Sequence, residues 1–80
     1  MNERARLRWQ CRRGMKELDV LLLGYLERYY PDVSAEERSI FAELLALQDP
    51  QLFGYLIGRE VPADAAVAHV IRKIRTAVNP

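Results

Sequence analysis

Residues 18–29 read LDVLLLGYLERY, and this stretch decides the fold class. Its apolar residues recur at spacings of three and four, which is the period of an amphipathic α-helix and not of a β-strand. Pro31 follows at a position that ends such a helix. The stretch therefore predicts a helix that buries one broad apolar face, formed by Leu18, Leu21, Leu22, Tyr25, Leu26 and Tyr29.

The segment before this helix has the same period. Asn2 is suited to cap a first helix, on which Leu7 and Cys11 lie four residues apart on one face. Gly14 stands where a left-handed C′ glycine would end that helix. Since no run of turn residues follows, the second helix is expected to begin directly after Gly14.

Three further helices are predicted in the second half of the chain. Ser34 and Glu37 form a capping box for the third, Asp49 caps the fourth with Pro50 at its first position, and Asp64 opens the fifth. Gly58 is expected to end the fourth helix. The residues expected to face inward are Ile40, Phe41, Leu44, Leu45 and Leu47, then Leu52, Phe53, Leu56 and Ile57, then Val67, Val70, Ile71 and Ile74. The fold class is all-α, a compact bundle of five short helices.

Length and composition set the class of protein. Eighty residues make a single helical domain, residues 1–80, and 50% hydrophobic with 29% charged residues is ordinary for a globular chain. The longest apolar run, Val20 to Leu23, is far shorter than the roughly 18 residues of a membrane span, so no membrane insertion is expected. One cysteine and one histidine exclude an internal disulfide and a zinc-type cluster. A reducing cytoplasm is the expected location.

Charge is unevenly distributed although the net charge is only +1. Residues 1–16 carry six basic side chains and one acid, residues 17–64 carry most of the acids, and the end of the chain is basic again. Such a polarised surface can orient a partner. A mitochondrial transit peptide is the alternative for the arginine-rich start. The stretch lacks the serines of such peptides and runs on into residues 12–19 without a break.

Candidate catalytic groups are few. A nucleophile system would have to use His69, the one histidine, which lies beside the inward face of the fifth helix and is expected to be a boundary residue. Cys11 shares a face with Leu7 and is expected to be buried, although the neighbouring arginines leave a reactive thiol open. There is no glycine-rich phosphate loop. The sequence predicts that this protein is not an enzyme.

Residues 12–19, RRGMKELD, are the strongest candidate for a binding surface. Each residue type has a structural explanation, since arginines and a glycine suit a helix end and acids suit a helix start. A glycine between two helices also lets a partner approach the backbone. Trp9 lies off the Leu7 face among arginines, where it either packs onto its own bundle or serves a partner. The expected partner-binding residues are Arg13, Gly14, Glu17, Trp9, Arg12, Arg8 and Met15.

The run RLRWQCRRGMKELD, residues 6–19, resembles the signature of the SdhE/Sdh5 family, the FAD assembly or flavinylation factors of succinate dehydrogenase. The family's RGxxE motif is matched by Arg13, Gly14 and Glu17. The later stretch FAELLALQDPQLFGYLIG, residues 41–58, is also similar, and the resemblance covers about residues 4–75. Tyr55 departs from the tryptophan that many members carry.

The resemblance implies a specific function. Members of that family bind the flavoprotein subunit of succinate dehydrogenase, and in bacteria that of fumarate reductase, and promote covalent attachment of FAD to a histidine of the subunit. By this analogy Arg13, Gly14 and Glu17 form the contact surface. The flavin belongs to the partner, so no stably bound cofactor is expected here. Preferential binding of one conformation of the subunit would suffice for such a helper.

Three alternatives come from other classes of protein. The arginine-rich first helix could bind nucleic acid with Trp9 stacked on a base, although the acidic middle of the chain argues against it, and no nucleic-acid partner is expected. Bacterial members of the resembled family have also been described as antitoxins of a toxin–antitoxin pair. A purely structural subunit of a larger complex is the third alternative.

Overall fold

The computed structural model describes residues 2–77 and shows helices as the regular structure throughout that range. The α-helices are α1 (Glu3–Gln10), α2 (Lys16–Arg28), α3 (Ala35–Leu45), α4 (Asp49–Leu56) and α5 (Ala65–Thr76), and a short 3-10 helix (Tyr30–Asp32) follows α2. There is no strand between residues 2 and 77. The predicted all-α fold with five short helices is confirmed.

Helix α2 lies at the centre of the packing. Leu18, Leu22, Tyr25 and Leu26 on its inward face are fully buried, Leu21 and Tyr29 are half-buried, and the helix packs against α1 and α5. Helix α5 also packs on α3 and α4, which closes the core from the opposite direction. The core therefore lies between α2 and α5, and its fully buried large side chains are Leu18, Leu22, Tyr25, Leu26, Phe41, Leu52, Val70 and Ile74.

Aromatic rings form the middle of this core. The ring of Tyr25 lies 4.6 Å from that of Phe41, measured between centroids, and Tyr30 lies 5.8 Å from Phe41 on the other side. A buried tyrosine ring brings a hydroxyl that needs a hydrogen-bond partner. The Tyr25 hydroxyl donates to Glu37 Oε2 at 2.7 Å, and Lys73 Nζ donates to the same oxygen at 2.9 Å.

This network corrects the predicted capping box. Ser34 does cap α3, since its hydroxyl accepts from the Glu37 backbone N–H at 3.2 Å. The Glu37 carboxylate, however, accepts hydrogen bonds from Tyr25 and Lys73 instead of reaching back to the Ser34 backbone. Hydrogen bonds from a charged amine and from a buried hydroxyl to a carboxylate stabilise the fold more than a bond from one exposed backbone N–H would.

The other predicted helix ends divide into confirmed and wrong ones. Asn2 caps α1 by accepting from the Ala5 backbone N–H, and Asp64 caps α5 by accepting from two backbone N–H groups. Asp49 was predicted to cap α4, but it is the first residue of α4 and Gln48 is the N-cap. The Asp49 carboxylate is instead hydrogen-bonded to a side chain from another part of the chain, as described below.

Two apolar residues lie outside the faces predicted for them. Ile57 was expected to face inward, but α4 ends at Leu56 and Ile57 is 45% exposed as its C-cap. Leu47 was placed on the third helix, but α3 ends at Leu45 and Leu47 is half-buried in the turn that follows. Helical spacing predicts these positions only if the helix continues, and both helices stop earlier.

The junction of α1 and α2 also differs from the prediction. Helix α1 ends at Gln10 with Cys11 as its C-cap, and residues 11–15 form a turn before α2 begins at Lys16. Gly14 has a φ of +86°, so it does adopt the left-handed conformation. It does so as the fourth residue of a five-residue connection rather than at the C′ position of α1. We call residues 11–15 the α1–α2 turn.

Between residues 2 and 77, every helix is too short or too polar to cross a membrane.

The Glu37 network predicts a pH dependence of stability. Burial raises the pKa of Glu37, but the hydrogen bonds from Tyr25 and Lys73 outweigh it and hold the pKa below its ordinary value of 4.5. A lowered folded-state pKa contributes stability that is present at neutral pH and is lost as the pH falls below 4.5. We expect Glu37→Gln to lower the free energy of unfolding by about 1–3 kcal/mol at pH 7 and to flatten its fall between about pH 5 and pH 3.

Urea unfolding of the wild type and the variant across this pH range measures both effects. Glu36→Gln is the matched control, because Glu36 is an exposed neighbour in the same helical turn. Equal pH slopes for wild type and Glu37→Gln would contradict the prediction.

Candidate functional site

The α1–α2 turn is fixed from the α2 side by one carboxylate. The backbone N–H of Arg13 donates to Asp19 Oδ1 at 2.7 Å. Asp19 lies in the first turn of α2, where its negative charge also suits the helix dipole. Met15, the N-cap of α2, has an extended backbone and makes no side-chain capping bond. Asp19 therefore ties the turn to the start of the helix that follows it.

The Arg13 side chain ties the same turn to a distant part of the chain. Its guanidinium donates from Nε to Asp49 Oδ1 at 2.8 Å and from Nη1 to the Leu45 carbonyl at 2.7 Å. It also donates to the carbonyls of Leu47 and Gln10. These partners come from the end of α1, the end of α3, the connection after it and the start of α4. We call residues 45–49 the α3–α4 junction.

This network turns Arg13 inward. Its side chain is 13% exposed and that of Asp49 is 36% exposed, so the ion pair is partly shielded from water. Within residues 2–77 all three guanidinium nitrogens already have acceptors. The guanidinium of Arg13, which the sequence suggested as a contact group, is therefore engaged inside its own chain.

Gly14 and Glu17 have the opposite environment. Both are exposed, and a Cβ built on Gly14 meets no atom within 4 Å. The Glu17 carboxylate makes no hydrogen bond or ion pair with any residue that the structure describes. The surface here thus offers open backbone at Gly14 in the turn and an unpaired negative charge at Glu17 in the first turn of α2.

Arg8, Trp9 and Arg12 form a second exposed group. Together with Ala5 they line a shallow surface depression. Trp9 is 74% exposed, so it does not fold back onto the bundle. Arg8 forms an ion pair with Glu27 of α2 at 3.1 Å, and both side chains are about half exposed. The structure therefore presents the indole to solvent between two arginines.

Met15 completes the set of predicted site residues. It is half-buried and packs against the core. Its side chain thus helps hold the turn onto the bundle, while the neighbouring Gly14 faces solvent.

Comparison with known proteins identifies the family. The sequence model of the Sdh5 family, described as flavinator of succinate dehydrogenase, matches residues 5–78. This chain belongs to the Sdh5 family. It is 42% identical over 76 residues to the FAD assembly factor SdhE of Shewanella oneidensis, covering 95% of this chain and 93% of that protein. It is also similar to the FAD assembly factors SdhE of Pseudomonas aeruginosa (41% over 78 residues, 98% and 93%) and Methylococcus capsulatus (44% over 79 residues, 99% and 95%).

Two groups considered for chemistry in this Sdh5-family chain lie apart from the exposed turn residues. Cys11 is fully buried, and burial raises the pKa of its thiol to about 12 against the opposing effect of Arg13. That favours the packing interpretation of Cys11 over the reactive-thiol alternative. His69 is exposed and borders a shallow cavity that Glu37 also lines. No group of metal-ligating side chains occurs among residues 2–77.

Sequence reasoning missed the residues that hold the turn. Asp19 and Asp49 were interpreted only as helix-end charges, and the carbonyls of Leu45 and Leu47 carry no signal in a sequence. The one available hint was that the two stretches resembling the family, residues 6–19 and 41–58, each contain one partner of the Arg13–Asp49 pair. Their separation of 36 residues leaves no local pattern that would predict the contact.

The network predicts different costs for two adjacent arginines. Arg13→Met should lower the free energy of unfolding by about 2–3 kcal/mol, since it removes a charged donor and leaves Asp49 and two carbonyls without it. Arg12→Met should change it by less than about 0.5 kcal/mol, because Arg12 is exposed and its side chain has no bond within residues 2–77. Chemical denaturation measures both. Equal effects of the two changes would show that the Arg13 contacts contribute nothing.

The raised pKa of Cys11 predicts slow thiol chemistry. At pH 8 a thiol-modifying reagent should react with the folded protein about 100- to 1,000-fold more slowly than with the unfolded chain, because both the thiolate fraction and access are reduced. Comparing rates with and without denaturant tests this. Similar rates in both conditions would mean that Cys11 is accessible in the folded state.

Proposed function

We propose that this protein is an assembly factor that binds the flavoprotein subunit of succinate dehydrogenase and promotes covalent attachment of FAD to it. The observation that carries the proposal is membership of the Sdh5 family across nearly the whole chain. The exposed surface at Gly14 and Glu17 supports the proposal, because an assembly factor needs exposed groups that are free to contact its partner.

The residues of the proposed interface have distinct roles. Gly14 lets the backbone of the partner approach closely, because no side chain covers the turn there. Glu17 supplies a carboxylate that can pair with a cationic group of the partner. Trp9, with Arg8 and Arg12, adds a large amphipathic contact of the kind that dominates interface energies.

Arg13 and Met15 contribute to the proposed interface indirectly, by holding the α1–α2 turn in place. The guanidinium of Arg13 is already bound within the chain, and Met15 packs on the core. Both residues hold the turn that carries Gly14. In this proposal the run of residues 12–19 combines residues that contact the partner with residues that shape the contact surface.

The proposed mechanism needs no catalytic group from this protein. The partner supplies the flavin site and the histidine that becomes linked to FAD. Preferential binding of the conformation in which the two are aligned, by about 1–3 kcal/mol, would shift its population roughly 5- to 150-fold. We therefore propose a non-enzymatic helper that holds no FAD of its own.

The proposal extends to one further partner and one location. The flavoprotein subunit of fumarate reductase is the second expected partner, and the cytoplasm is the expected compartment. A single buried cysteine is compatible with a reducing environment. Nucleic-acid and antitoxin functions are not adopted, because the relatives compared above are named as FAD assembly factors.

Gly14 and Glu17 provide the test of the proposed function. Gly14→Ala should cost about 1 kcal/mol of stability through its positive φ, while Gly14→Arg adds a long side chain in the interface and should abolish binding to the flavoprotein subunit. Glu17→Ala should weaken binding at least about thirtyfold if its carboxylate is paired in the complex. Titration calorimetry gives the affinities, and protein-bound flavin after denaturation reports covalent attachment.

Two controls separate binding from folding. Gly58 has a φ of +82° in the loop after α4, so Gly58→Ala imposes the same backbone strain away from the α1–α2 turn. Glu36→Ala removes an exposed first-turn carboxylate from α3 instead of α2. Wild-type affinity for folded Gly14→Arg and Glu17→Ala would show that the interface lies elsewhere.

A further inference from the structure

We propose that Asp49 is a positioning residue for partner binding, because it holds the Arg13 side chain and thereby fixes the α1–α2 turn that presents Gly14 next to Glu17 of α2. This inference rests on the proposed function. It makes the α3–α4 junction a determinant of affinity, although that junction lies outside the stretch that carries the family motif.

The α3–α4 junction places several hydrogen-bond acceptors around one guanidinium group. Helix α3 ends at Leu45, so the carbonyls at its end lack partners within the helix. Helix α4 begins at Asp49, which adds a carboxylate beside them. Arg13 satisfies the Leu45 and Leu47 carbonyls and the Asp49 carboxylate at once. A cation at a helix C-terminus is also favoured by the helix dipole.

Asp49 is the charged member of this set and the one that a substitution can remove. The backbone carbonyls are neutral acceptors, whereas a bond between a guanidinium and a carboxylate is roughly twice as strong as a neutral one. The Asp49 bond is made by Nε, which fixes the direction of the whole planar group. Asp49 therefore orients the guanidinium so that its outer nitrogens meet the two carbonyls.

The α1–α2 turn has few other restraints on the side of Gly14. Open space surrounds the Cβ position of Gly14, so no packing contact there resists movement. On the α2 side, Asp19 holds the backbone N–H of Arg13. Without Asp49 the turn would remain attached to α2, and to the core through Cys11 and Met15, but the Arg13 guanidinium would keep only neutral carbonyl acceptors on the α3–α4 junction and would be held there less firmly. Conformational freedom in the free protein lowers the apparent affinity of a surface that must adopt one shape.

The experiment compares Asp49→Ala, Asp49→Asn and wild type for binding to purified flavoprotein subunit of succinate dehydrogenase. We expect Asp49→Ala to weaken binding by roughly 3- to 30-fold. Asp49→Asn should weaken it less, because asparagine retains an oxygen acceptor for Arg13 Nε. Lys73→Met is the control, since it breaks the other half-buried ion pair, with Glu37, and leaves the Arg13 contacts intact. Its affinity should equal that of wild type.

Amide hydrogen exchange of the free proteins supplies the readout that a merely structural role would not change. In Asp49→Ala the amide of Arg13, which is bonded to Asp19, should exchange faster relative to the core amide of Leu22. In Lys73→Met the two amides should change together or not at all. If the exchange rates of both amides rise together in Asp49→Ala, Asp49 contributes only to overall stability and the inference is overturned.

The binding outcomes separate the two proposals. If wild type binds the subunit and Asp49→Ala binds it equally well, the positioning role is wrong and the proposed function stands. If wild type itself fails to bind, the proposed function is wrong and this inference falls with it. A graded loss from wild type through Asp49→Asn to Asp49→Ala, with Lys73→Met unaffected, supports both.

Discussion

The contact between Arg13 and the α3–α4 junction is the interaction on which the shape of the α1–α2 turn depends. The guanidinium of Arg13 bonds a residue 36 positions away in the chain, and it does so beside Gly14, whose backbone is left-handed. A turn with a positive φ and open surroundings would otherwise sample several arrangements. Because Arg13 bonds two carbonyls and a carboxylate together, the turn and the junction adopt one relation to each other. Partial burial strengthens these bonds relative to an exposed ion pair.

A second half-buried ion pair has a different task. Lys73 and Glu37, together with the Tyr25 hydroxyl, satisfy the polar groups that the aromatic centre of the core brings with it. That network joins α2, α3 and α5, whereas the Arg13 network joins the ends of α1, α3 and α4. The Glu37 network stabilises the core, and the Arg13 network holds the exposed α1–α2 turn. Loss of either leaves charged groups without partners, which is costly in a domain whose total stability is only about 5–15 kcal/mol.

The residues around the α1–α2 turn divide into inward-facing ones that hold the turn and outward-facing ones that form the proposed interface. The side chains of Arg13 and Met15 are bound within their own chain. Gly14, Glu17 and Trp9 are exposed and can contact a partner. Rigid support beneath a sparsely covered turn reduces the entropy lost on association. The neighbouring residues Arg12 and Arg13 are identical in type but opposite in environment, so a motif described by letters alone mixes two physical roles.

The sequence by itself determined the fold class, three of the helix N-caps and the family. Helical spacing in residues 18–29, the caps Asn2 and Asp64 and the run around Gly14 are local patterns, and local patterns are what a sequence displays. Only the tertiary structure decided the partners of Arg13 and Glu37, because each choice depends on which groups from distant segments arrive within hydrogen-bonding distance. A carboxylate near a helix start satisfies a local capping rule in every sequence. When folding brings a guanidinium or a buried tyrosine hydroxyl close to that carboxylate, the carboxylate forms the stronger bond with this distant donor and does not cap the helix.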